Sequence, residues 1–315
     1  MKKIIFSIVV LLSGCSSDFT PNGPYQQRLV VYAVLDGNTS TQFIRVYGSF
    51  SPNEYDPLQP SPNKEIYNAS VTVDDGQSTY VFHDTTINVP TNGAGSRSVH
   101  AYVNYVLQAE EKKQYTATVA AKGFDTSKAV FKSISPGRIL LSGSHASLIK
   151  PADEKTIVIS ISLGENVQAF LPMIFFEYEV NNDSLIRTRE VPMKVLTSDF
   201  SDELTKIYPS IMLRSKSSDI IDPRETIVFN TDAYISTIID IRKEHPNLKV
   251  KFKRALLKLV QFDNDLYTYY SIVNNFGGSS SLRLDEPDYT NFQNGFGVFG
   301  MYNSQIEAHV LPVDF

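Results

Sequence analysis

Residues 291–303 read NFQNGFGVFGMYN, a run in which three glycines are interspersed among large apolar and aromatic side chains. We interpret this run as a late β-strand. In a strand, Phe296 and Val298 share one face, while Phe299 and Met301 share the other. Bulk on both faces predicts burial on both, and the glycines then mark a bulge or a close backbone approach. The alternative is an exposed loop in which the glycines let a ligand approach the backbone.

The part of the chain that leads into this run is predicted to mix strands with two helices. Thr231 is a candidate N-cap for a helix over 232–244, and Asp263 is a candidate N-cap for a second helix. Alternating or continuous apolar patterns predict strands over residues 156–163, 171–180, 185–196 and 248–262. We therefore expect residues 156–315 to form a β-rich α+β domain.

The preceding part of the body is predicted to be all-β. Asp75-Gly76 lies between two β-branched runs, a signal for a tight hairpin because glycine accepts a positive φ. Strands are predicted over residues 28–35, 41–50, 69–74, 77–83, 102–109, 114–121 and 128–134. This spacing indicates an Ig-like β-sandwich over 28–134. Prolines and glycines cluster in 135–155, which we interpret as the linker between two domains.

The N-terminus carries an export pattern. Two lysines precede a nine-residue apolar run, which is too short for a membrane-spanning helix of ~20 residues. Residues 1–14 are therefore predicted to be a signal peptide. Leu12-Ser13-Gly14-Cys15 is similar to a bacterial lipobox, in which Cys15 is lipidated. Residues 15–27 then form a polar tether, and Ser16, in place of an aspartate, favours the outer membrane.

Composition narrows the function classes. Removal of residues 1–14 takes away Lys2 and Lys3, so the formal charge of −5 becomes −7. A mildly acidic chain with no basic block disfavours nucleic acid as a partner. Cys15 is the only cysteine, so its lipidation excludes disulfides and cysteine chemistry elsewhere. The five histidines are isolated in sequence, and we predict no catalytic, metal or cofactor site.

Three stretches point to a known family: Leu29-Val30-Val31, residues 68–76 (NASVTVDDG) and residues 291–300 (NFQNGFGVFG). Together with the lipobox and the chain length, they resemble the lipoproteins of the Bacteroides lineage called domain of unknown function 4249. The resemblance covers nearly the whole mature chain. Members of this family often lie beside TonB-dependent outer-membrane transporters, which implies an accessory role next to such a transporter.

Aromatic residues supply the candidate contact sites. Tyr267, Tyr269, Tyr270, Tyr289, Phe292, Phe296, Phe299 and Tyr302 form an aromatic run in the last fifty residues. Tyrosines can stack on a ligand, and core burial is the alternative. Tyr289 is our candidate partner contact in this run. Tyr55, in the proline-rich segment 51–64, is a second candidate because an exposed loop can contact a partner.

These observations lead to a ranked set of functions. The first is a non-enzymatic binding or accessory lipoprotein of the outer membrane, acting with a TonB-dependent transporter. The second is a purely structural envelope protein without a small ligand. The third is a glycan or peptide hydrolase, for which the candidate carboxylates are Asp199, Asp202, Glu203, Asp219 and Asp222. Helix caps and turns are the stronger explanation for these carboxylates.

Overall fold

A computed structural model describes residues 26–49, 64–90, 95–140, 148, 155–181, 183, 185–198, 201–215, 224–273 and 289–312. The mainly β fold class is confirmed. Cys15 and Tyr55 lie outside the described residues, as do most of the predicted signal, the tether and the proline-rich segment.

The strands follow the predicted patterns closely in most places. In the first part they are β1 (Leu29–Asp36), β2 (Gln42–Gly48), β3 (Ser70–Asp74), β4 (Thr79–Pro90), β5 (Ser96–Asn104), β6 (Gln114–Ala120), β7 (Ser127–Lys132), β8 (Arg138–Leu140) and β9 (Thr156–Ser162). The later strands are β10 (Ala169–Val180), β11 (Arg187–Val191), β12 (Lys194–Ser198), β13 (Ser201–Ile207), β14 (Met212–Leu213), β15 (Arg224–Asn230), β16 (Val250–Phe262), β17 (Phe292–Gln293) and β18 (Gly295–Val310). Two helices are described over their full length, α1 (Thr231–Glu244) and α2 (Asn264–Val273).

Most of these strands belong to one sheet. Within the described residues its order is β11-β10-β16-β18-β1-β2-β5-β4-β3-β6-β7-β17, with β14 beside β10. Strands β12 and β13 pair with each other, and β15, β9 and β8 form a separate three-stranded sheet. The path contains a parallel pair, β1 with β18. An Ig-like sandwich is therefore not confirmed; the large sheet is mixed.

Strand β18 joins the two ends of the chain. Its first half pairs in parallel with β1, from Leu29 opposite Gly295 to Asp36 opposite Tyr302. Its second half pairs antiparallel with β16, starting where Phe262 lies opposite Tyr302. Because the two partners flank opposite ends of β18, a single strand connects the β-rich N-terminal part to the C-terminal part.

This arrangement corrects the predicted domain division. The segments 28–134 and 156–315 share one sheet, since β18 lies between β1 and β16. The described part of the predicted linker, 135–155, is not an exposed connection. It supplies β8, which pairs with β9, and the fully buried Leu148, whose carbonyl accepts a hydrogen bond from Tyr234. The described residues of this segment are therefore packed against β9 and α1.

The core also runs through both parts. Inward side chains of β1, β2, β3, β6 and β7 join those of β9, β10, β15, β16 and β18 in one cluster of buried apolar residues. Helix α1 adds Tyr234, whose ring lies 4.6 Å from that of Phe176 on β10. Burial of this contiguous apolar surface is the main favourable contribution to folding.

The two helices begin differently from each other. Asp263 caps α2 as predicted, because its Oδ1 accepts the backbone N–H of Leu266 at 2.7 Å. Thr231 does not cap α1: it is the first helical residue, and Asn230 occupies the N-cap position without a side-chain hydrogen bond. Strand β15 ends at Asn230, directly before this helix. The residue before the helix is therefore still paired with β9 and does not form a capping turn.

The run 291–303 forms β17, a turn and the first part of β18. Asn294 (φ 57°) separates the strands, and Gly297 (φ 104°) interrupts the alternation within β18. Phe299 and Met301 face the core, as the strand interpretation predicts. Phe296 does not meet the prediction of burial on both faces, since 37% of its surface is exposed. The structural interpretation is therefore right for Phe299 and wrong for Phe296.

We expect Phe299→Ala to lower the free energy of unfolding by ~3–5 kcal/mol, the range for truncating a buried phenylalanine. Phe299 is fully buried, and its ring meets the edge of Phe131 at 4.6 Å. Phe296→Ala, in the same strand, is the matched control and should cost about 1 kcal/mol because the side chain is partly exposed. Urea titration of the three proteins measures both values, and equal losses would contradict the assignment of Phe299 to the core.

Candidate functional site

A cavity of about 180 Å³ lies on the outer face of the central strands, beside α2. Val30 and Tyr32 of β1 and Phe296 and Gly297 of β18 supply one part of its lining. These residues are neighbours because Val30 pairs with Phe296 and Val31 with Gly297. The strand period of two turns Val30 and Tyr32 away from the core, towards the cavity.

The rest of the lining comes from α2 and the segment before β17. Tyr269 and Ile272 extend from the helix, and Tyr289 comes from the connection to β17. The ring of Tyr269 lies 6.1 Å from that of Tyr32 at an angle of 69°, an edge-to-face contact. We call this cavity the tyrosine cleft; its lining is Val30, Tyr32, Tyr269, Ile272, Tyr289, Phe296 and Gly297.

Helix α2 is held over β18 by a buried carboxylate. Asp263 accepts the backbone N–H of Leu266 through Oδ1 and that of Met301 through Oδ2, both at 2.7 Å. The second bond satisfies a backbone N–H of β18 that has no partner on β16, because the pairing of these two strands starts at Tyr302. Gly300 leaves room for this contact, since a Cβ there would come 2.9 Å from both carboxylate oxygens. Asp263 thereby sets the position of Tyr269 relative to β1.

Asn291 completes the same edge. Its side-chain amide donates to the carbonyl of Phe299 at 2.7 Å and accepts the N–H of Phe299 at 2.9 Å. The amide therefore takes the place of a neighbouring strand. Two residues earlier, Tyr289 donates its hydroxyl hydrogen to Asp265 in the first turn of α2. These contacts fix Tyr289 in the wall of the cleft.

The electrostatics of this region follow from burial. Burial raises the pKa of Asp263 to about 7, against the opposing effect of the N–H groups that it accepts. Burial, together with the carboxylate of Asp265, also raises the pKa of Tyr289. The raised pKa values bias the carboxyl group of Asp263 and the hydroxyl of Tyr289 towards their neutral forms.

We predict that the stability of the fold depends on pH through Asp263. Its folded pKa is raised above the unfolded value of ~3.9, so its contribution is fully present below pH 4 and is lost as the pH rises through about 7. The loss should approach ~1.4 kcal/mol per pH unit within this window. Urea titrations of wild type and Asp263→Asn between pH 4 and 8 should give a stability difference that shrinks as the pH rises.

The control for this experiment is Asp232→Asn, which changes an exposed aspartate in the first turn of α1. Its stability difference from wild type should stay nearly constant across the same pH range. If Asp263→Asn behaved in the same way, the carboxyl group of Asp263 would not be the group whose ionisation opposes folding.

Two arginines flank the open side of the cleft. The guanidinium carbon of Arg28 lies 5.5 Å from the ring centre of Phe296, and that of Arg45 lies 4.9 Å from the ring centre of Tyr47. Arg45 also lies 3.6 Å from a carboxylate oxygen of Glu65. Among the described residues, Arg28 forms no ion pair. Of these two arginines, only Arg28 therefore lacks a carboxylate partner among the described residues.

The aromatic run of the last fifty residues divides between the core and the tyrosine cleft. Phe292 and Phe299 are buried in the core, whereas Tyr269, Tyr289 and Phe296 line the cleft. Tyr302 donates to Asp36 at 2.8 Å and helps to fix β18 beside β1. The candidate contact Tyr289 thus lies in the cleft, and the structure does not describe the other candidate, Tyr55.

Sequence reasoning missed Val30, Tyr32 and Ile272 as parts of this site. Val30 and Tyr32 resemble ordinary members of a half-buried strand, and only their pairing with β18 brings them beside Phe296. The strand period places these two residues on one face, but it does not show what packs against that face. Ile272 of α2 was not singled out by any sequence pattern.

One predicted isolated histidine has a partner. His100 is almost fully buried, and its Nε2 lies 2.7 Å from Oδ1 of Asp84. Burial opposes ionisation of Asp84, but the N–H of Asn68 and His100 outweigh it and lower its pKa. Asp84 thereby holds Asn68 at its positive φ, a structural role at the start of β3.

Metal and hydrolase chemistry gain no support from the grouped side chains. The described residues contain no group of three or more histidine, aspartate or glutamate side chains able to hold a metal ion. Asp199, Asp219 and Asp222 lie outside the described residues, while Asp202 and Glu203 belong to β13. In the part of the chain that the structure describes, no helix is long and apolar enough to cross a membrane.

Comparison with known proteins gives one family. No curated protein matches the chain. Residues 16–307 match the family described as Domain of unknown function (DUF4249). The match includes β1, α2 and nearly all of β18, so it covers the whole tyrosine cleft and most of the sheet. The chain therefore belongs to the DUF4249 family.

Proposed function

We propose that this protein is a lipid-anchored binding module of the outer membrane, which uses the tyrosine cleft to contact its ligand or partner. The cleft carries the proposal. The described residues that line it are mainly aromatic and aliphatic, and among them the tyrosine hydroxyls are the only polar side-chain groups, as is typical of a binding pocket.

The position of the cleft in the chain supports this function. Residues 15–27 span at most about 45 Å when extended, and the cleft lining begins only three residues later, at Val30. A protein held by acyl chains on Cys15 would thus keep the cleft close to the membrane. Such a tether raises the local concentration of the binding site near a membrane partner. A TonB-dependent transporter is the partner that we propose.

A purely structural envelope protein is the second candidate. The continuous sheet and the core that joins both ends of the chain favour it. An open cleft with a charged rim is not needed for that function. Binding at the cleft therefore separates the two candidates.

We expect Cys15→Ser to release the protein from the outer-membrane fraction, because the acyl chains provide the anchor. Fractionation of cells that express either form, followed by immunoblotting and a carbonate wash, measures this. Retention of the Cys15→Ser protein through the wash would contradict lipid anchoring at this residue.

The partner can be identified with the membrane-bound protein. A photo-crosslinking amino acid of leucine size, with a diazirine in its aliphatic side chain, replaces Ile272 in the cleft without filling it and should give a crosslink to an outer-membrane transporter. The matched control places the same group at Val158, on the exposed side of β9. Crosslinks of equal yield from both positions, or none from Ile272, would contradict the cleft as the contact site.

A further inference from the structure

We propose that the tyrosine cleft takes one planar aromatic group that carries a carboxylate. A free aromatic acid and the C-terminal aromatic residue of a peptide both present this chemistry. The inference rests on the proposed binding function and specifies the ligand class for the same site. Three independent features of the cleft lead to it: its size, its lining and the charge at its rim.

The volume fits a single ring. An apolar cavity of ~150 Å³ is known to bind benzene, whereas pockets for drug-sized ligands measure ~300–1,000 Å³. The tyrosine cleft, at about 180 Å³, therefore holds one ring with a short substituent. A larger ligand has to place its remaining atoms outside the cleft, where Phe296 is exposed.

The lining favours an aromatic ring over a sugar ring. Of the seven described residues that line the cleft, none has a charged or amide side chain. Sugar hydroxyls removed from water need several hydrogen-bond partners, and each unmade bond is costly. The hydroxyl of Tyr289 already donates to Asp265. The rings of Tyr32 and Tyr269 stand edge to face, a geometry that a third ring can extend.

Arg28, at the rim of the cleft, favours a ligand that carries a negative charge. Arg28 lies two residues before Val30, so the strand period places it on the same side as the cleft lining. Its guanidinium stands over Phe296, and among the described residues no carboxylate pairs with it. Arg45 differs, since Glu65 lies nearby. An anionic group on a ring bound beside Phe296 would meet Arg28 and gain a charge-assisted hydrogen bond.

The backbone at the rim is well fixed. The N–H of Arg28 donates to Oγ of Ser49 at 2.9 Å, and its carbonyl accepts the N–H of Ser49 at 2.8 Å. Only the arginine side chain therefore has to be ordered when an anion binds, which limits the entropic cost of binding. This position also makes Arg28 replaceable without disturbing the fold.

The test uses the full-length protein and fluorinated probes observed by fluorine NMR. The primary probe is 4-fluorophenylacetate, with 4-fluorobenzyl alcohol as the uncharged ring and fluoroacetate as the charge without a ring. A peptide that ends in 4-fluorophenylalanine, with and without C-terminal amidation, separates the peptide source from the free acid. We expect 4-fluorophenylacetate and the free-ended peptide to bind, and a fluorinated glucose not to bind.

Two pairs of variants locate the interaction. Arg28→Gln should weaken binding of 4-fluorophenylacetate about tenfold and leave the alcohol unchanged, as expected for one charge-assisted contact. Arg97→Gln, at an exposed arginine of β5, is the control and should change neither. Ile272→Trp should fill the cleft and abolish binding of both ring probes. Ile239→Trp, at an exposed isoleucine of α1, should not.

The outcomes separate this inference from the proposed function. Equal affinity for 4-fluorophenylacetate and 4-fluorobenzyl alcohol would contradict the preference for a carboxylate. An unchanged affinity of Arg28→Gln for 4-fluorophenylacetate would contradict it too. Binding of the fluorinated glucose in place of the ring probes would overturn the aromatic class while leaving a binding cleft. If no ring probe binds wild type, yet crosslinking at Ile272 still captures a transporter, the inference fails and the proposed function stands. Loss of both results would overturn both.

Discussion

Gly297→Val is expected to prevent folding or to lower the free energy of unfolding by more than ~4 kcal/mol, a loss that few single substitutions reach. Two independent causes act at this position. Gly297 has a φ of 104°, which a β-branched residue rarely adopts. A Cβ at this place would also overlap the carbonyl group of Val31 and come within 2.9 Å of its backbone nitrogen.

The second cause is the more damaging one. Val31 and Gly297 are direct partners in the parallel ladder between β1 and β18, so neither backbone can withdraw without breaking that ladder. A side chain at the end of a flexible arm could move away, but a backbone carbonyl in a sheet cannot. The parallel ladder between β1 and β18 depends on this close approach.

Gly76→Ala is the matched control for Gly297→Ala, the milder form of the change. Gly76 has a similar positive φ of 85°, but a Cβ there would meet no atom within 4 Å. Its replacement should cost only the conformational strain, about 1–2 kcal/mol. Soluble yield and urea titration of Gly297→Val, Gly297→Ala and Gly76→Ala would show the difference. Similar losses for the two alanine variants would mean that the Val31 contact is unimportant.

A chain that ends at residue 290 should fail to fold into any stable part of the structure. The deletion removes β17 and β18, so β1 loses its parallel partner and β16 loses one of its two neighbours. It also removes Phe299 and Met301, which are fully buried in the shared core. Natural domains have only ~5–15 kcal/mol of stability, less than the burial and pairing that the deletion removes.

The control is a chain that ends at residue 312, which keeps every described residue of β18. It should retain the β-rich circular dichroism spectrum and a cooperative unfolding transition, whereas the chain ending at 290 should lose both. Limited proteolysis offers a second measurement. A stable fragment starting near residue 28 and ending near 134, obtained from the shorter chain, would show that the N-terminal segment folds without β18.

The local features of the fold were predictable from the sequence. The hairpin at Asp75-Gly76 follows from a φ that glycine accepts, and the structure shows Gly76 at φ 85°. The cap at Asp263 follows from the preference of a carboxylate for free N–H groups at a helix start. Both depend on interactions within a few residues, which a single sequence displays directly.

The candidate site was predictable in part. The aromatic run named Tyr269, Tyr289 and Phe296, but gave no means of separating them from Phe299, which is buried in the core. Alternation correctly predicted that Phe296 and Phe299 lie on opposite faces of β18. The prediction that both faces are buried was wrong for Phe296, which is partly exposed. Whether a strand face is covered depends on what packs against it, and only part of this face lies under α2.

The sequence by itself determined the β-rich class, the two helices and the family to which the chain belongs. Only the tertiary structure decided that β1 and β18, at opposite ends of the chain, are adjacent and parallel. That pairing brings Tyr32 beside Tyr269 and Arg28 beside Phe296, and so creates the cleft. The physical reason is that periodicity records which side of a strand is buried, whereas the choice of neighbour depends on backbone approach and packing between residues far apart in sequence.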